Sequence, residues 1–358
     1  MRRLPVFLLL DCSESMIGDN HARLEEGLAR IVQELRRDPH ALETVYLSVI
    51  AFAGKPRTLV PLVELIEFCS PDLPIGSGTG LGKALTHLMR EIDRSVIASS
   101  ADRKGDWKPL VFLMTDGYPT EDVTAAVRLW NDQYRRKASL VAISIGQDAD
   151  LATLRQLTDD VLVLEETSNA GLVSVIRWIS QSIQAHSRAL DTLGTPSALP
   201  SAETAGLKRI DLSKPAASPT TVDERFAIIV GQCQNRRLPY VLKFERVENP
   251  IGMESNRLSE MFKDRRYHFS AAYPLRRSYF EMSADDPTSQ SSISADLLYG
   301  GSSCPHCSNP VGMAFCSCGG TFCISGGGEQ TCPWCDTTGS YGAVGDGEAD
   351  FEIKRTQG

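Results

Sequence analysis

The chain has 358 residues, a formal net charge of −8 and 42% hydrophobic residues. That length accommodates two or three domains with at least one full core, and the acid excess argues against wholesale coating of nucleic acid. Of ten cysteines only Cys12, Cys69 and Cys233 precede residue 300, while seven fall between Cys304 and Cys335, which reads as a terminal metal site in a reducing, cytoplasmic compartment and not as a disulfide framework.

The first apolar run, Leu4–Leu10 behind Arg2 and Arg3, superficially resembles a signal peptide. It is short and a charged segment without a small-residue cleavage site follows, so it reads as a buried strand. No stretch approaches the roughly 20 apolar residues of a spanning helix, and no membrane partner is expected. Strand-like runs then recur at Thr44–Phe52, Leu110–Thr115, Leu140–Ile145 and Val161–Leu164. Amphipathic helical patterns separate them at His21–Arg37, Leu81–Ile97, Val123–Arg136, Leu151–Leu157 and Ala170–His186. Such alternation predicts an α/β domain over residues 1–190 built on a doubly wound, mostly parallel sheet. Pairing of Thr44–Phe52 with Pro56–Leu62 would add one antiparallel edge strand.

Residues 191–221 are rich in Pro, Ala, Ser and Thr and read as a linker. A small β-rich module is expected over 222–283, with strands at Phe226–Val230, Tyr240–Val247, Tyr267–Ala272 and Tyr279–Met282. It holds 11 basic against 8 acidic residues from Asp223 to Met282, with a cluster at Lys263–Arg266; a solvated face explains these better than a nucleic-acid or phosphate surface. A polar connector (284–303), a cysteine-rich segment with a zinc-ribbon-like pattern (304–340) and a flexible acidic tail (341–358) complete the chain.

Two constellations carry chemistry. Asp11, Ser13 and Ser15 follow the first strand, Asp116 follows the Leu110–Thr115 strand, and Thr79 lies in Gly76-Ser77-Gly78-Thr79-Gly80-Leu81-Gly82 ahead of a helix. Ligands of open α/β sheets bind outside the carboxyl ends of the strands, where strand order reverses. Two carboxylates and three hydroxyls offer only hard oxygens, which suits Mg²⁺, Mn²⁺ or Ca²⁺ and not zinc. Each loop alone is an ordinary helix cap; the three together point to a cation that keeps residual positive charge for a partner's carboxylate. A phosphate-binding loop is excluded because Ser77 and Ala84 stand where Gly and Ser or Thr are needed. No Gly-x-Ser-x-Gly elbow occurs and no histidine lies in these loops, so no enzyme activity is expected.

In the second constellation Cys304-Pro305-His306-Cys307 and Cys332-Pro333-Trp334-Cys335 form two Cys-x-x-Cys knuckles, with Cys316, Cys318 and Cys323 between them. Thiolates at this spacing reach one tetrahedral Zn²⁺, and the segment lacks the βαβ setting of a redox Cys-x-x-Cys. The leading expectation is one zinc held by Cys304, Cys307, Cys332 and Cys335. A second ion would draw on Cys316, Cys318, Cys323 and, as the weakest candidate, His306.

Asp11-x-Ser13-x-Ser15, Thr79 in its glycine loop and Thr115-Asp116-Gly117 resemble the metal-ion-dependent adhesion site of von Willebrand factor type A domains, over residues 1–190. The resemblance implies that Ser13, Ser15 and Thr79 ligate directly or through water, with Asp11 and Asp116 close behind. Glu14 departs from it, standing where glycine is usual. With the β-rich middle and the Cys-Pro-x-Cys…Cys-x-Cys-Gly…Phe-Cys…Cys-Pro-Trp-Cys tail, most of the chain resembles TerY-type tellurium-resistance proteins of bacteria. That implies a non-enzymatic binding protein of a chemical-stress system, acting beside a Ser/Thr kinase and a metal-dependent protein phosphatase. The alternative is a nucleic-acid- or phosphoprotein-binding adaptor using the zinc tail with Arg236-Arg237, Lys263–Arg266 and Arg276-Arg277.

Overall fold

Every side chain of the first strand, β1 (Leu4–Asp11), is buried, which demands cover on both faces of a sheet. Its residues alternate accordingly. Val6, Leu8 and Leu10 enter one apolar core, while Phe7 and Leu9 enter another on the opposite face. The computed structural model describes residues 2–100, 102, 104–145, 150–164, 169–192, 200–202, 207–209, 226–246, 267–284, 291–341 and 352–356. The chain divides into a first unit, Met1–Thr221 with Met282–Ala284, and a second, Val222–Glu281 with Asp285–Gly358.

In the first unit the strands after β1 are β2 (Val45–Phe52), β3 (Pro56–Glu64), β4 (Leu110–Thr115), β5 (Ser139–Ile145), β6 (Val161–Leu164) and β7 (Leu207–Arg209). They lie in the order β3-β2-β1-β4-β5-β6-β7. β1 pairs in parallel with both β2 and β4, as do β4 with β5 and β5 with β6. The β2–β3 hairpin gives the expected antiparallel edge. β7 gives a second, antiparallel to β6, so part of the segment read as linker extends the sheet.

Helices α1 (Asp19–Arg36), α2 (Pro39–Thr44), α3 (Leu81–Ser95), α4 (Thr124–Leu129), α5 (Leu151–Leu157) and α6 (Asn169–Thr192) complete this unit. α1 directs Leu24, Leu28, Ile31, Val32 and Leu35 into the first core. α3 directs Leu81, Leu85, Leu88 and Ile92 into the second. Gly27 lets α1 approach α6 closely, since a Cβ there would lie 1.8 Å from Ile176 Cδ1. The Val123–Arg136 pattern is interrupted, α4 giving way to a π turn at Trp130–Tyr134. Trp130 is fully buried there and its indole N–H donates to Leu157 O at 3.1 Å. α2 was not foreseen; Asp38 caps it, accepting from the His40 and Ala41 amides, with Pro39 in its first turn.

The second unit contains β8 (Phe226–Gln232), β9 (Pro239–Arg246), β10 (Tyr267–Pro274), β11 (Ser291–Ser294), β12 (Leu298–Tyr299), β13 (Val311–Phe315), β14 (Thr321–Ile324), β15 (Gly328–Thr331), β16 (Thr338–Tyr341) and β17 (Glu352–Arg355). One six-stranded sheet runs β12-β10-β9-β8-β14-β13. The middle segment and the cysteine-rich segment, expected as separate modules, therefore share a sheet, with β8 pairing in parallel with β14. The connector supplies β11 and β12, and the tail supplies β17, which pairs with β11. The Tyr279–Met282 strand is replaced by a short helix, α7 (Ser278–Met282), whose Tyr279 N–H closes locally on Arg276 O at 3.1 Å. Gly231 stands opposite Tyr240 in the β8–β9 register. A Cβ there would lie 2.3 Å from the Tyr240 ring, so glycine makes room for this fully buried tyrosine, whose hydroxyl donates to Gly312 O at 2.5 Å.

Candidate metal centres

The strand order reverses between β1 and β4, and that is where the oxygen site lies. Asp11 ends β1 and Asp116 immediately follows β4. Past β1 the chain bridges to Gly76 through Ser13 and turns through a short 3₁₀ segment, Glu14–Met16. Gly76 N–H donates to Cys12 O at 3.0 Å and Gly80 N–H to Ala53 O at 2.7 Å, which brings the glycine loop to the strand ends. Thr120 braces that loop from the other side. The Thr79 amide donates to Thr120 Oγ1 at 3.0 Å and the Thr120 amide donates to Thr79 O at 3.0 Å.

All five residues expected from sequence converge here, and all are buried. Ser13 Oγ lies 3.0 Å from Ser15 Oγ, and Ser15 Oγ donates to Asp116 Oδ1 at 2.7 Å. Asp11 accepts from the Ser13 amide at 2.9 Å and from Thr115 Oγ1 at 2.6 Å. Burial pushes the Asp11 carboxyl up to about 6, against the opposing effect of the Thr115 and Ser13 hydrogen bonds. Thr79 Oγ1 is buried and has no hydrogen-bond partner among the described residues. Gly117 keeps the adjoining space open, because a Cβ there would lie 3.3 Å from Thr79 Oγ1 and 3.9 Å from Ser15 Oγ. A buried orphan hydroxyl costs about 1–3 kcal/mol, and a hard cation beside Ser13, Ser15 and Thr79 would satisfy it. The residues therefore fit Mg²⁺, Mn²⁺ or Ca²⁺. Thr115, part of the Thr115-Asp116-Gly117 motif, supports the site through its bond to Asp11, and Thr120 is a supporting residue that the sequence reading did not single out.

The sulfur ligands differ from expectation. Two tetrads form: Cys233, Cys304, Cys307 and Cys323, and Cys316, Cys318, Cys332 and Cys335, with all sulfurs of each within 4.8 Å of one another. Cys307 and Cys323 sulfurs are 3.7 Å apart, Cys316 and Cys335 3.7 Å, and Cys318 and Cys332 3.8 Å. A disulfide needs about 2.05 Å, whereas a tetrahedron with Zn–S bonds of about 2.3 Å has edges of about 3.8 Å. Both tetrads thus fit Zn²⁺. The two knuckles belong to different tetrads, which corrects the reading of one ion shared by Cys304, Cys307, Cys332 and Cys335. His306 belongs to neither, its Nε2 lying 2.8 Å from Pro239 O. The eighth ligand is Cys233, at the end of β8.

Backbone geometry shows why Cys233 qualifies. The residue four after Cys233, Cys304 and Cys332 is Arg237, Ser308 and Asp336, with φ of 51°, 61° and 57°. Each returns its N–H to the cysteine carbonyl, at 2.8, 2.9 and 2.9 Å. Each cysteine N–H in turn donates to the carbonyl five residues on: Leu238, Asn309 and Thr337. Cys233 thus opens a knuckle turn in which Arg236 occupies the place of the second cysteine. Amides also point at sulfur, Gln234 N–H to Cys323 and Trp334 N–H to Cys332, each at 3.4 Å.

The tetrads differ in exposure. Cys233, Cys304 and Cys323 are buried in the unit's core with Tyr240 and Phe244, whereas Cys318 and Cys335 are exposed. Burial pushes the Cys233 thiol up to about 11. The Cys318 amide leads the effects that hold Cys316 down to about 6. Of the basic groups considered for nucleic acid, Arg237 is engaged in an ion pair with Asp336, and Lys263–Arg266 lies outside the described residues. No helix among those residues is long and apolar enough to cross a membrane.

Two family models match the chain. The model of the von Willebrand factor type A domain matches residues 6–170, and that of the TerY-C metal binding domain matches residues 223–358. No curated protein matches the chain. Among solved structures, proximal thread matrix protein 1 from the mussel byssus, with a zinc-occupied MIDAS motif, is 19% identical over 50% of this chain and 48% of its own, with a TM-score of 0.37. A von Willebrand factor type A protein from Catenulispora acidiphila is 16% identical over 51% of this chain and 43% of its own, TM-score 0.37. The chain spans less than half the length of each.

Proposed function

We propose that this chain, which carries a von Willebrand factor type A domain over residues 6–170 and a TerY-C metal binding domain over 223–358, is a metal-dependent scaffold that binds another protein without catalysing a reaction. The observation that carries this reading is the unpartnered Thr79 hydroxyl buried beside Ser13, Ser15 and the Asp116 carboxylate. Ser13, Ser15 and Thr79 would hold a Mg²⁺, Mn²⁺ or Ca²⁺ ion, with Asp11 and Asp116 balancing its charge. Such a cation supplies residual positive charge, and three neutral hydroxyl ligands leave it attractive to an acidic group of the partner.

The two thiol tetrads would hold one Zn²⁺ each as structural sites that fold the second unit. Eight reduced cysteines grouped this way suit the cytoplasm. The likeness to TerY-type proteins supports a role in a bacterial tellurite or chemical-stress response, with a Ser/Thr kinase and a metal-dependent protein phosphatase of the same system as partners. The test is capture of those partners from extract by wild type, Asp11→Ala and Thr79→Ala, in Mg²⁺ or EDTA. Capture by wild type in Mg²⁺ alone supports the reading; capture that persists in every condition contradicts it.

A further inference from the structure

The glycine loop that carries Thr79 is held in part by three residues distant in sequence. Met282–Ala284 belongs to the first unit, and Met282 is 1% exposed within the core cluster that contains β1 residues. Lys55 N–H donates to Met282 O at 2.8 Å. Ser77 N–H, two residues before Thr79, donates to Ser283 Oγ at 2.9 Å, and Ala284 N–H returns a bond to Ser77 O at 3.3 Å. Two glycines clear the path. A Cβ on Gly76 would lie 2.6 Å from Met282 Cβ, and one on Gly54 would lie 2.1 Å from Ala284 N.

These contacts are specific in a way that ordinary loop packing is not. Ser77 is bonded on both its amide and its carbonyl by the same short segment, so the loop is fixed in position along that segment. The Gly80 amide on Ala53 O ties the far side of the same loop. Thr79 thereby has its backbone pinned on both flanks, while its side-chain oxygen is left for a ligand. Preorganised ligands bind a metal more tightly than ligands that must be ordered on binding.

We propose that Met282–Ala284 is a positioning strap for the cation site, with Ser283 setting the loop through Ser77 and Met282 anchoring the strap in the core. The cation affinity of the first unit then depends on residues outside the 6–170 span of the type A domain. This inference rests on the cation reading given above. Ser283 acts on the loop through its backbone, by accepting the Ser77 amide.

The test is Mn²⁺ binding, followed by the relaxation of water protons, in the full chain loaded with zinc. Ser283→Ala should weaken Mn²⁺ binding about 3- to 10-fold, as loss of one neutral hydrogen bond predicts. Ser283→Thr, which keeps the acceptor, should restore it to within about twofold. Gly54→Ala, whose Cβ would lie 2.1 Å from Ala284 N and 2.5 Å from Ser77 O, forces apart the strap and loop atoms that bond each other and should weaken binding at least as much as Ser283→Ala. Hydrogen exchange at the Ser77 amide provides a second readout independent of any ion and should accelerate in Ser283→Ala. Equal Mn²⁺ affinity of wild type, Ser283→Ala and Gly54→Ala would overturn the strap. Absence of Mn²⁺ binding by wild type would instead overturn the cation reading, and unchanged Ser77 exchange in that case would overturn the strap as well.

Discussion

The two kinds of candidate metal site assemble their side chains by opposite routes. At the oxygen site the fold comes first: β1 and β4 are buried between two apolar cores, and chain direction alone delivers Asp11 and Asp116 to the same edge. At the sulfur sites the ligands are themselves part of the core, with Cys233, Cys304 and Cys323 packed among Tyr240, Leu242 and Phe244. Hydroxyls and carboxylates on a finished sheet can wait for an ion. Eight thiols set in short turns and four- or five-residue strands have little else to hold them. The difference predicts that removing metal costs the first unit affinity and the second unit its structure.

The largest effect that could break this contrast is at Cys323. Cys323→Ser should abolish zinc at the buried tetrad and unfold the second unit, because structural zinc supplies about 10–16 kcal/mol of folding free energy. Elemental analysis should show at most one zinc, while the first unit's melting is unchanged. A second unit that stays folded without that zinc would refute the contrast. The tetrads should also separate from each other. Chelator should strip zinc in two phases, and Cys335→Ser should remove the faster one, because Cys318 and Cys335 are exposed.

A smaller effect is the pH dependence of the first unit. Burial raises the Asp11 carboxyl from 3.8 to about 6. A raised folded value stabilises the fold fully below about pH 4, and this contribution is lost as pH rises through 6, on the order of 3 kcal/mol for a shift of this size. In EDTA the first unit should therefore unfold at lower urea at pH 7 than at pH 4. Asp11→Asn should flatten that slope, and so should saturating Mn²⁺, which favours the carboxylate. A slope that is the same in Asp11→Asn would reject burial of Asp11 as its cause.

Smaller still is Thr79→Val. It removes a buried hydroxyl that has no partner, so it should leave the cation-free unit as stable as wild type or up to about 1 kcal/mol more stable. The same change should weaken Mn²⁺ binding by about tenfold or more. Destabilisation on its own would mean that the hydroxyl is bonded within the protein. Glu14→Gly tests the departure at a buried position inside the loop. It should change Mn²⁺ or partner affinity, and equal values for both would remove Glu14 from the account.

What could be read from sequence follows the same division. Strand–helix alternation sets chain direction, and direction alone puts Asp11 and Asp116 at one sheet edge, within reach of the Thr79 loop. Seven clustered cysteines with His306 raised the prospect of a second ion, but the ligand sets are a three-dimensional property that replaces His306 by Cys233. Cys323 crosses between Cys318 and Cys332 to reach the other tetrad, and no spacing rule encodes that interleaving. Cys233 was passed over because it lacks a second cysteine three residues on; its signature is a left-handed Arg237, visible only in the backbone. β7, β17 and the Met282–Ala284 strap were hidden for a related reason. Each is short, lies in a polar stretch, and gains its partners only from sequence-distant chain.

Native mass spectrometry of the full chain, before and after addition of Mn²⁺, tests the central claim most directly. Two zinc ions bound through eight deprotonated cysteines, and one further ion gained with Mn²⁺ but not by Thr79→Ala, is the predicted result. A single zinc, or no gain with Mn²⁺, would contradict it.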